Sequence, residues 1–365
     1  MHLIPLFERT GQAKMLHYFN NRRFVSGMGV LLMVAFLHDS MAWTIHAAYA
    51  KEVHPSDLSH ADSPLGLVNP TSLRNDQDTN PTPEHLEPQD RLTLIGGTMI
   101  ERLQSDGRLE AALYQSLGSN QFQIRNLGWS GDDVWGTARA VFGQPSDGFE
   151  RLKSDLKLTQ PTVVLVAYGA NESFAGAEGL ENFKEGLRRL LDMIQESSGR
   201  PILVTPPPFE ELGPPLPSMQ IANENLGLYC LAIREVANDR KLAVIDLNSM
   251  FPTQPKSTRP RTENGVHLTE AGALEVSKAL AQELLGRSVP DELWTRLNSA
   301  TDLLAMIRKK NEWFFHRYRP QNETYLFLFR KHEQGNNAVE IPQFDELVSN
   351  IEQEIRRTAI GLIPR

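Results

Sequence analysis

Five short apolar runs recur through the middle of the chain: "LTLIG" (92–96), "FQIRNLG" (122–128), "TVVLVAYG" (162–169), "PILVTPP" (201–207) and "LAVIDL" (242–247). They are too short for buried helices, and most lack the in–out alternation of a strand with one wet face. Most are separated by apolar residues at helical spacing, such as Leu180, Phe183, Leu187, Leu190, Leu191 and Ile194, or Leu226, Tyr229, Cys230, Ile233 and Val236. Fully apolar strands alternating with amphipathic helices predict a parallel sheet covered on both faces. Right-handed crossovers then give a three-layer α/β/α sandwich on five parallel strands, spanning residues 91–289. In such sheets ligands bind beyond the carboxyl ends of the strands, so the chemistry is sought there.

The flanks read differently. "NNRRF", the apolar run "VSGMGVLLMVAFL" and the small-residue site "AYA" at 48–50 follow one another in the order of a secretory signal peptide, so residues 1–50 are expected to be removed on export. The alternative, an uncleaved anchor, is disfavoured by an apolar run shorter than the roughly 20 residues of a membrane span. Residues 51–90 hold six prolines, eight acids and no Phe, Trp or Tyr, which predicts a flexible tether. Residues 290–365 leave the strand–helix alternation. Leu303, Leu304, Ile307, Phe314, Phe315 and Tyr318 make a helical stripe there, and the segment is too small for its own core, so it should pack on the sandwich.

A formal charge of −8 disfavours nucleic acid and anionic membrane surfaces as partners. The lone cysteine, Cys230, sits in an apolar-periodic stretch and reads as a buried small side chain. Past residue 90 the histidines are His267, His316 and His332, scattered without metal-ligand spacing, so no metal or cofactor is expected.

The strand ends carry Gly96–Gly97–Thr98, Ser130–Gly131, Asn171 and, after a long loop, Asn264 and His267. A hydroxyl at a strand-to-helix turn, a glycine N–H, an amide and an imidazole are the parts of an acyl-transfer site. With "NLGWSGDDVWG", "YGANESF" and "NGVHLTEAG" in this order, residues 91–287 resemble the SGNH (GDSL-type) hydrolase family. The C-terminal "NETYLF" and "RKHEQGNNAVEIPQFD" are similar to an exported bacterial branch of it. The resemblance implies a flavodoxin-like sandwich, Thr98 as nucleophile, His267 as base and Asn264 as its orienter. It implies an oxyanion hole from the Thr98 and Gly131 N–H groups and the Asn171 side chain. The departures from the family are these: its GDS is Gly96–Gly97–Thr98 here, so threonine stands at the nucleophile position, and Asn264 stands where it has the aspartate of DxxH.

Asparagine can still orient a histidine if its carbonyl accepts the Nδ1 proton, and that contact is expected here. Asp132, Asp133 and Glu172 follow the oxyanion motifs, with helix capping or substrate recognition as their roles. His332 and Glu333 are expected at the rim of the cleft, carried there by residues 321–343. "VTPPPFEELGPPLP" (204–217) predicts a rigid loop forming one wall of the pocket. The expected function is an exported esterase or carbohydrate deacetylase, periplasmic or extracellular, acting on a small-molecule or glycan ester. The alternative is a degenerate cleft that binds a glycan or acyl ligand. The sequence leaves the oligomeric state open.

Overall fold

The computed structural model describes residues 85–253 and 259–361. The expected signal peptide and the tether up to residue 84 lie outside the described residues. At 85–90 the chain is already part of the fold: Leu86 is buried and its N–H donates to the Leu284 carbonyl at 2.8 Å. The apolar side chain of Leu86 draws this otherwise polar segment onto the core, so residues 85–90 differ from the flexible segment expected over 51–90.

Five strands form one parallel sheet: β1 (Arg91–Gly96), β2 (Gln123–Asn126), β3 (Val163–Ala167), β4 (Arg200–Thr205) and β5 (Ala243–Asp246). Their order is β2-β1-β3-β4-β5. Successive strand residues face opposite sides, and both sides are buried. Leu92, Leu94, Val163, Leu165, Ile202 and Val204 belong to one core; Ile95, Val164, Val166 and Leu203 belong to the other. That is why the strands read as unbroken apolar runs.

The first core is covered by α1 (Thr98–Asp106), α2 (Arg108–Leu117) and α6 (Glu270–Leu285); the second by α3 (Pro145–Thr159), α4 (Leu180–Glu196) and α5 (Gln220–Arg240). The chain runs from β1 to β2 on one side and returns to β3 on the other side of β1. This reversal parts the loops beyond the carboxyl ends of β1 and β3, opening a crevice at the place expected from topology. None of the described helices is long and apolar enough to cross a membrane.

The C-terminal extension supplies α7 (Asp291–Ser299), α8 (Thr301–Tyr318) and α9 (Phe344–Gly361), with short helical turns between the last two. Leu303, Ile307, Phe314 and Tyr318 are buried, as the stripe predicted. The same helix also buries charge. Lys310 pairs with Glu110, which accepts a further hydrogen bond from Asn311 Nδ2 at 2.6 Å. On α9, Glu352 accepts from Tyr114 Oη at 2.6 Å and from both Arg125 Nη groups at 2.7 and 2.9 Å. Burial alone would raise the Glu352 pKa, but the Arg125 guanidinium holds it down at about 2. Desolvating such charges costs several kcal/mol that pairing only about offsets, but removing one partner leaves the other buried and uncompensated, at about 3–5 kcal/mol. They fasten the extension to the sandwich.

Candidate active site

Thr98 opens α1 immediately after β1, where the first N–H groups of the helix have no acceptor within it. Gly131 lies in the loop after β2 with φ near +75°. Nothing stands within 4 Å of where its Cβ would be, so glycine is required by backbone conformation rather than by space. That conformation aims the Gly131 N–H at Thr98 Oγ1, 3.3 Å away. Asn171, in the loop after β3, donates from Nδ2 to the Gly131 carbonyl at 3.2 Å. Three strand ends thus converge on one glycine.

Glu172 binds two of these loops together. One carboxylate oxygen accepts from Val134 N at 3.0 Å and the other from Gly169 N at 2.8 Å. Both oxygens are occupied by main chain, so the residue expected to read substrate instead holds the cavity wall. Burial raises its pKa to about 7 against the pull of those backbone donors. Asp132 is further from solvent still: it is buried, paired with Arg139 Nε at 2.7 Å, and accepts from Tyr168 Oη at 3.0 Å. Asp133 accepts from the Trp135 and Thr137 N–H groups, each at 3.0 Å, and so holds the turn that leads into residues 137–140, whose N-cap is Gly136.

His267 is carried by a self-contained loop. Thr262 and Leu268 form an antiparallel bridge, and Glu263 N–H donates to the His267 carbonyl at 2.8 Å. Buried Glu210 accepts from Arg261 N at 3.1 Å and from Thr262 N and Oγ1, both at 2.8 Å, tying this loop to the proline-rich one. Burial depresses the His267 pKa and the nearby Arg102 cation lowers it further, while Glu263 pulls it up. The net depression keeps the ring neutral near pH 7.

The Asn264 contact corrects the expectation. Its Oδ1 accepts from His267 N at 2.9 Å and from Val266 N at 3.2 Å. Its Nδ2 therefore faces His267 Nδ1, at 3.4 Å. Turning the amide over would set its NH₂ against two backbone N–H donors, so the local turn locks the orientation. An Nδ2 donor makes Nδ1 the acceptor and places the ring proton on Nε2. A general base needs the opposite tautomer. An aspartate here would accept the backbone donors with one oxygen and Nδ1–H with the other.

Thr98, Gly131, Asn171 and His267 line one cavity of about 200 Å³. Pro206, Pro207, Pro208 and Phe209 form one wall, as expected of the proline-rich loop, and Phe174 stacks on Phe209 with ring centroids 5.3 Å apart. Arg102 also lines it and pairs with Glu263 at 3.5 Å. That residue escaped the sequence reading although it lies one helical turn beyond Thr98, on the same face of α1. Among the described residues no group of three or more His, Cys, Asp or Glu side chains is gathered to hold a metal ion.

His332 and Glu333 are not in this wall. His332 is 75% exposed and faces Glu333, which pairs with Arg330 at 2.6 Å. The segment carrying them is drawn elsewhere by the Phe142–Phe329 ring contact and by the Arg151–Glu323 ion pair. His316 packs against Phe315 and Phe344. Cys230 is buried and its thiol pKa is pushed up to about 12 by burial, so it is no nucleophile.

The GDSL-like lipase/acylhydrolase family model matches residues 96–274. No curated protein matches the chain. Among solved structures, a catalytic mutant of an acetylxylan esterase from Geobacillus stearothermophilus is similar at 18% identity and TM-score 0.42, over 55% of this chain and 96% of that one. A lipase/acylhydrolase from Enterococcus faecalis is similar at 20% identity and TM-score 0.41, over 55% of this chain and 98% of that one. A gut microbial diltiazem-metabolizing enzyme is similar at 15% identity and TM-score 0.44 over 56% of this chain, which spans 48% of that enzyme.

Proposed function

Residues 96–274 belong to the GDSL-like lipase/acylhydrolase family, which makes the chain a hydrolase of ester bonds, and from that premise we propose a two-step esterase with Thr98 as nucleophile and His267 as base. The observation that carries the reading is the meeting of the Thr98 hydroxyl, the Gly131 N–H, the Asn171 amide and the His267 ring on one cavity. Thr98 Oγ1 attacks the ester carbonyl carbon and passes its proton to His267 Nε2. The carbonyl oxygen gains a negative charge, which the Thr98 and Gly131 N–H groups and Asn171 stabilise. The C–O bond to the alcohol breaks, and the alkoxide takes the proton from His267. Water then attacks the acyl-Thr98 ester by the same route and releases the acid.

The small cavity favours a short acyl group such as acetyl, since pockets for larger ligands run to about 300 Å³ and beyond. The apolar wall of Pro206–Phe209 suits the acyl methyl, while the alcohol side opens towards polar Arg102 and Glu263. We take the alcohol to be a sugar hydroxyl met outside the cytoplasm, a setting that rests on the signal-peptide pattern of residues 1–50. Basal turnover should be low. His267 must exchange its Nδ2···Nδ1 contact for the Nδ1–H tautomer before Nε2 can accept a proton, at a cost of about 1 kcal/mol for the hydrogen bond lost.

The test is hydrolysis of p-nitrophenyl acetate and of acetylated xylo-oligosaccharides by the wild type and by Thr98→Ala, with mass spectrometry for an acyl adduct on Thr98. Slow wild-type turnover that falls at least about 10³-fold in the alanine variant is expected. Equal rates in the two would move the nucleophile elsewhere. An inert wild type that still binds the oligosaccharide would leave a binding cleft.

A further inference from the structure

The loop that carries Gly131 is supported from behind by the C-terminal extension. Gly128 lies so close to α1 that a Cβ there would stand 2.3 Å from Glu101 N. Next to it, Trp129 is buried and its N–H donates to the Gly96 carbonyl at 2.9 Å. Ser130 N–H donates to Glu101 Oε2 at 2.5 Å. The peptide that follows presents the Gly131 N–H to Thr98.

Two residues at the end of α8 reach this loop. Tyr318 Oη donates to the Gly128 carbonyl at 3.1 Å. Arg319 lays its guanidinium over the Trp129 ring, 3.7 Å from the centroid, and donates from Nη1 to the same Glu101 Oε2 at 3.1 Å. One carboxylate oxygen is thus shared between the extension and the Ser130 N–H. Arg151 completes the mount: it stacks on Trp129 at 4.9 Å, donates to the Tyr318 carbonyl at 3.1 Å and pairs with Glu323. The remaining contacts on residues 128–130 are closer in sequence: Gly128 N–H donates to Asn126 Oδ1 at 2.8 Å, Asp132 N–H donates to the Trp129 carbonyl at 3.0 Å, and Arg139 stacks on the Trp129 ring at 5.2 Å.

We propose that Tyr318 and Arg319 are positioning residues for the oxyanion loop, acting through Gly128, Trp129 and the Glu101 carboxylate. The proposal rests on the reading of Thr98 and Gly131 as nucleophile and oxyanion donor. A flexible Glu101 would have two or more rotamers open to it, and only some reach Ser130 N. The Arg319 cation and its stack on Trp129 select the one that does. An oxyanion donor must be in place before charge develops, and a displacement of about 1 Å can cost on the order of 10²-fold in rate. The extension is then part of the catalytic apparatus although none of its residues lines the cavity.

The experiment uses the full chain and two readouts, one independent of turnover. Arg319→Gln keeps the side-chain length and removes the charge and most of the stack; Arg319→Lys keeps the charge alone; Tyr318→Phe removes only the hydroxyl. Amide hydrogen exchange at Ser130 and Gly131 should speed up about tenfold in Arg319→Gln, with β3 and α8 unchanged, and kcat on p-nitrophenyl acetate should fall about tenfold at constant KM. Arg319→Lys should recover part of both effects. Unchanged exchange at Ser130 and Gly131 would overturn the proposal, and so would faster exchange with wild-type kcat. If Arg319→Gln does not fold, Tyr318→Phe decides by the same two measurements with a smaller expected change. Faster exchange in a chain whose wild type hydrolyses nothing would uphold the mount and overturn the esterase reading instead.

Discussion

The two halves of the cavity are built in opposite ways. The oxyanion half gathers residues from β1, β2 and β3 and from the extension: Gly131 faces Thr98, Asn171 holds the Gly131 carbonyl, Glu172 joins two loops, and Arg319 reaches Glu101 across the chain. The histidine half is mostly local. Residues 261–269 bond to one another, with buried Glu210 as their principal long-range support, and Asn264 and Glu263 are exposed. The first half is therefore preorganised by tertiary contacts and resists change. In the second, a single side chain at the surface decides where the ring proton sits. Donors that must wait for a transient charge benefit most from a rigid mount, whereas a proton carrier has to change state in each cycle.

Asn264→Asp breaks the contrast most strongly. A carboxylate would accept Nδ1–H, fix the productive tautomer and stabilise the imidazolium. Loss of such a carboxylate in a buried triad costs about 10⁴-fold; position 264 is exposed and solvent screens part of the benefit, so a gain on the order of 10²-fold in kcat/KM on p-nitrophenyl acetate is expected. An unchanged rate would show that the Nε2–H tautomer does not limit turnover.

Glu172→Gln probes the other half through pH. As a carboxylate Glu172 accepts both the Val134 and Gly169 N–H groups; protonation removes one acceptor. Its pKa is raised to about 7, so wild-type activity should fall as pH drops through that value. Glutamine offers one acceptor oxygen at every pH. The variant should lose about tenfold in maximal kcat, and its acid limb should move to the His267 pKa, which lies below the ordinary 6.5. A variant retaining a limb near 7 would detach that limb from Glu172.

The smallest effect belongs to Arg102→Ala. After burial, the Arg102 cation is the main influence lowering the His267 pKa, and Glu263 opposes it. Removing it should raise the His267 pKa, measured from the imidazole ring protons by NMR, with less of a rise at high salt. Arg102 is 41% exposed, so the accompanying rate change should stay within about twofold. A downward movement would mean that the Arg102–Glu263 pair, rather than the cation alone, sets the field at the ring.

The layered fold was legible because it follows from periodicity: apolar runs of strand length can be buried on both faces only between helices. The positions of Thr98, Gly131, Asn171 and His267 were legible for a related reason, since each stands just past a strand or at the end of a strand-to-helix loop. The proline wall could be inferred from rigidity and from its place after β4. Other features depended on atoms that meet only once the chain has folded. The Asn264 amide is turned by two main-chain N–H groups of its own loop, which a residue pattern does not orient. Glu172 read as a capping or substrate-recognising carboxylate, and its contacts with the Val134 and Gly169 amides, from two separate loops, could not be seen in the residue pattern. His332 and Glu333 were placed by a segment whose direction is set by Phe329 on Phe142 and Glu323 on Arg151. Lys310 and Arg319, in a sequence stretch that shows only an apolar stripe, find their partners about 200 residues earlier. Periodicity records which side of an element is buried, and so the sequence by itself determined the layers and the strand-end site. Hydrogen-bond direction and charge pairing depend on which groups meet, and so the folded structure decided how the Asn264 amide faces His267 and the mounting of the oxyanion loop.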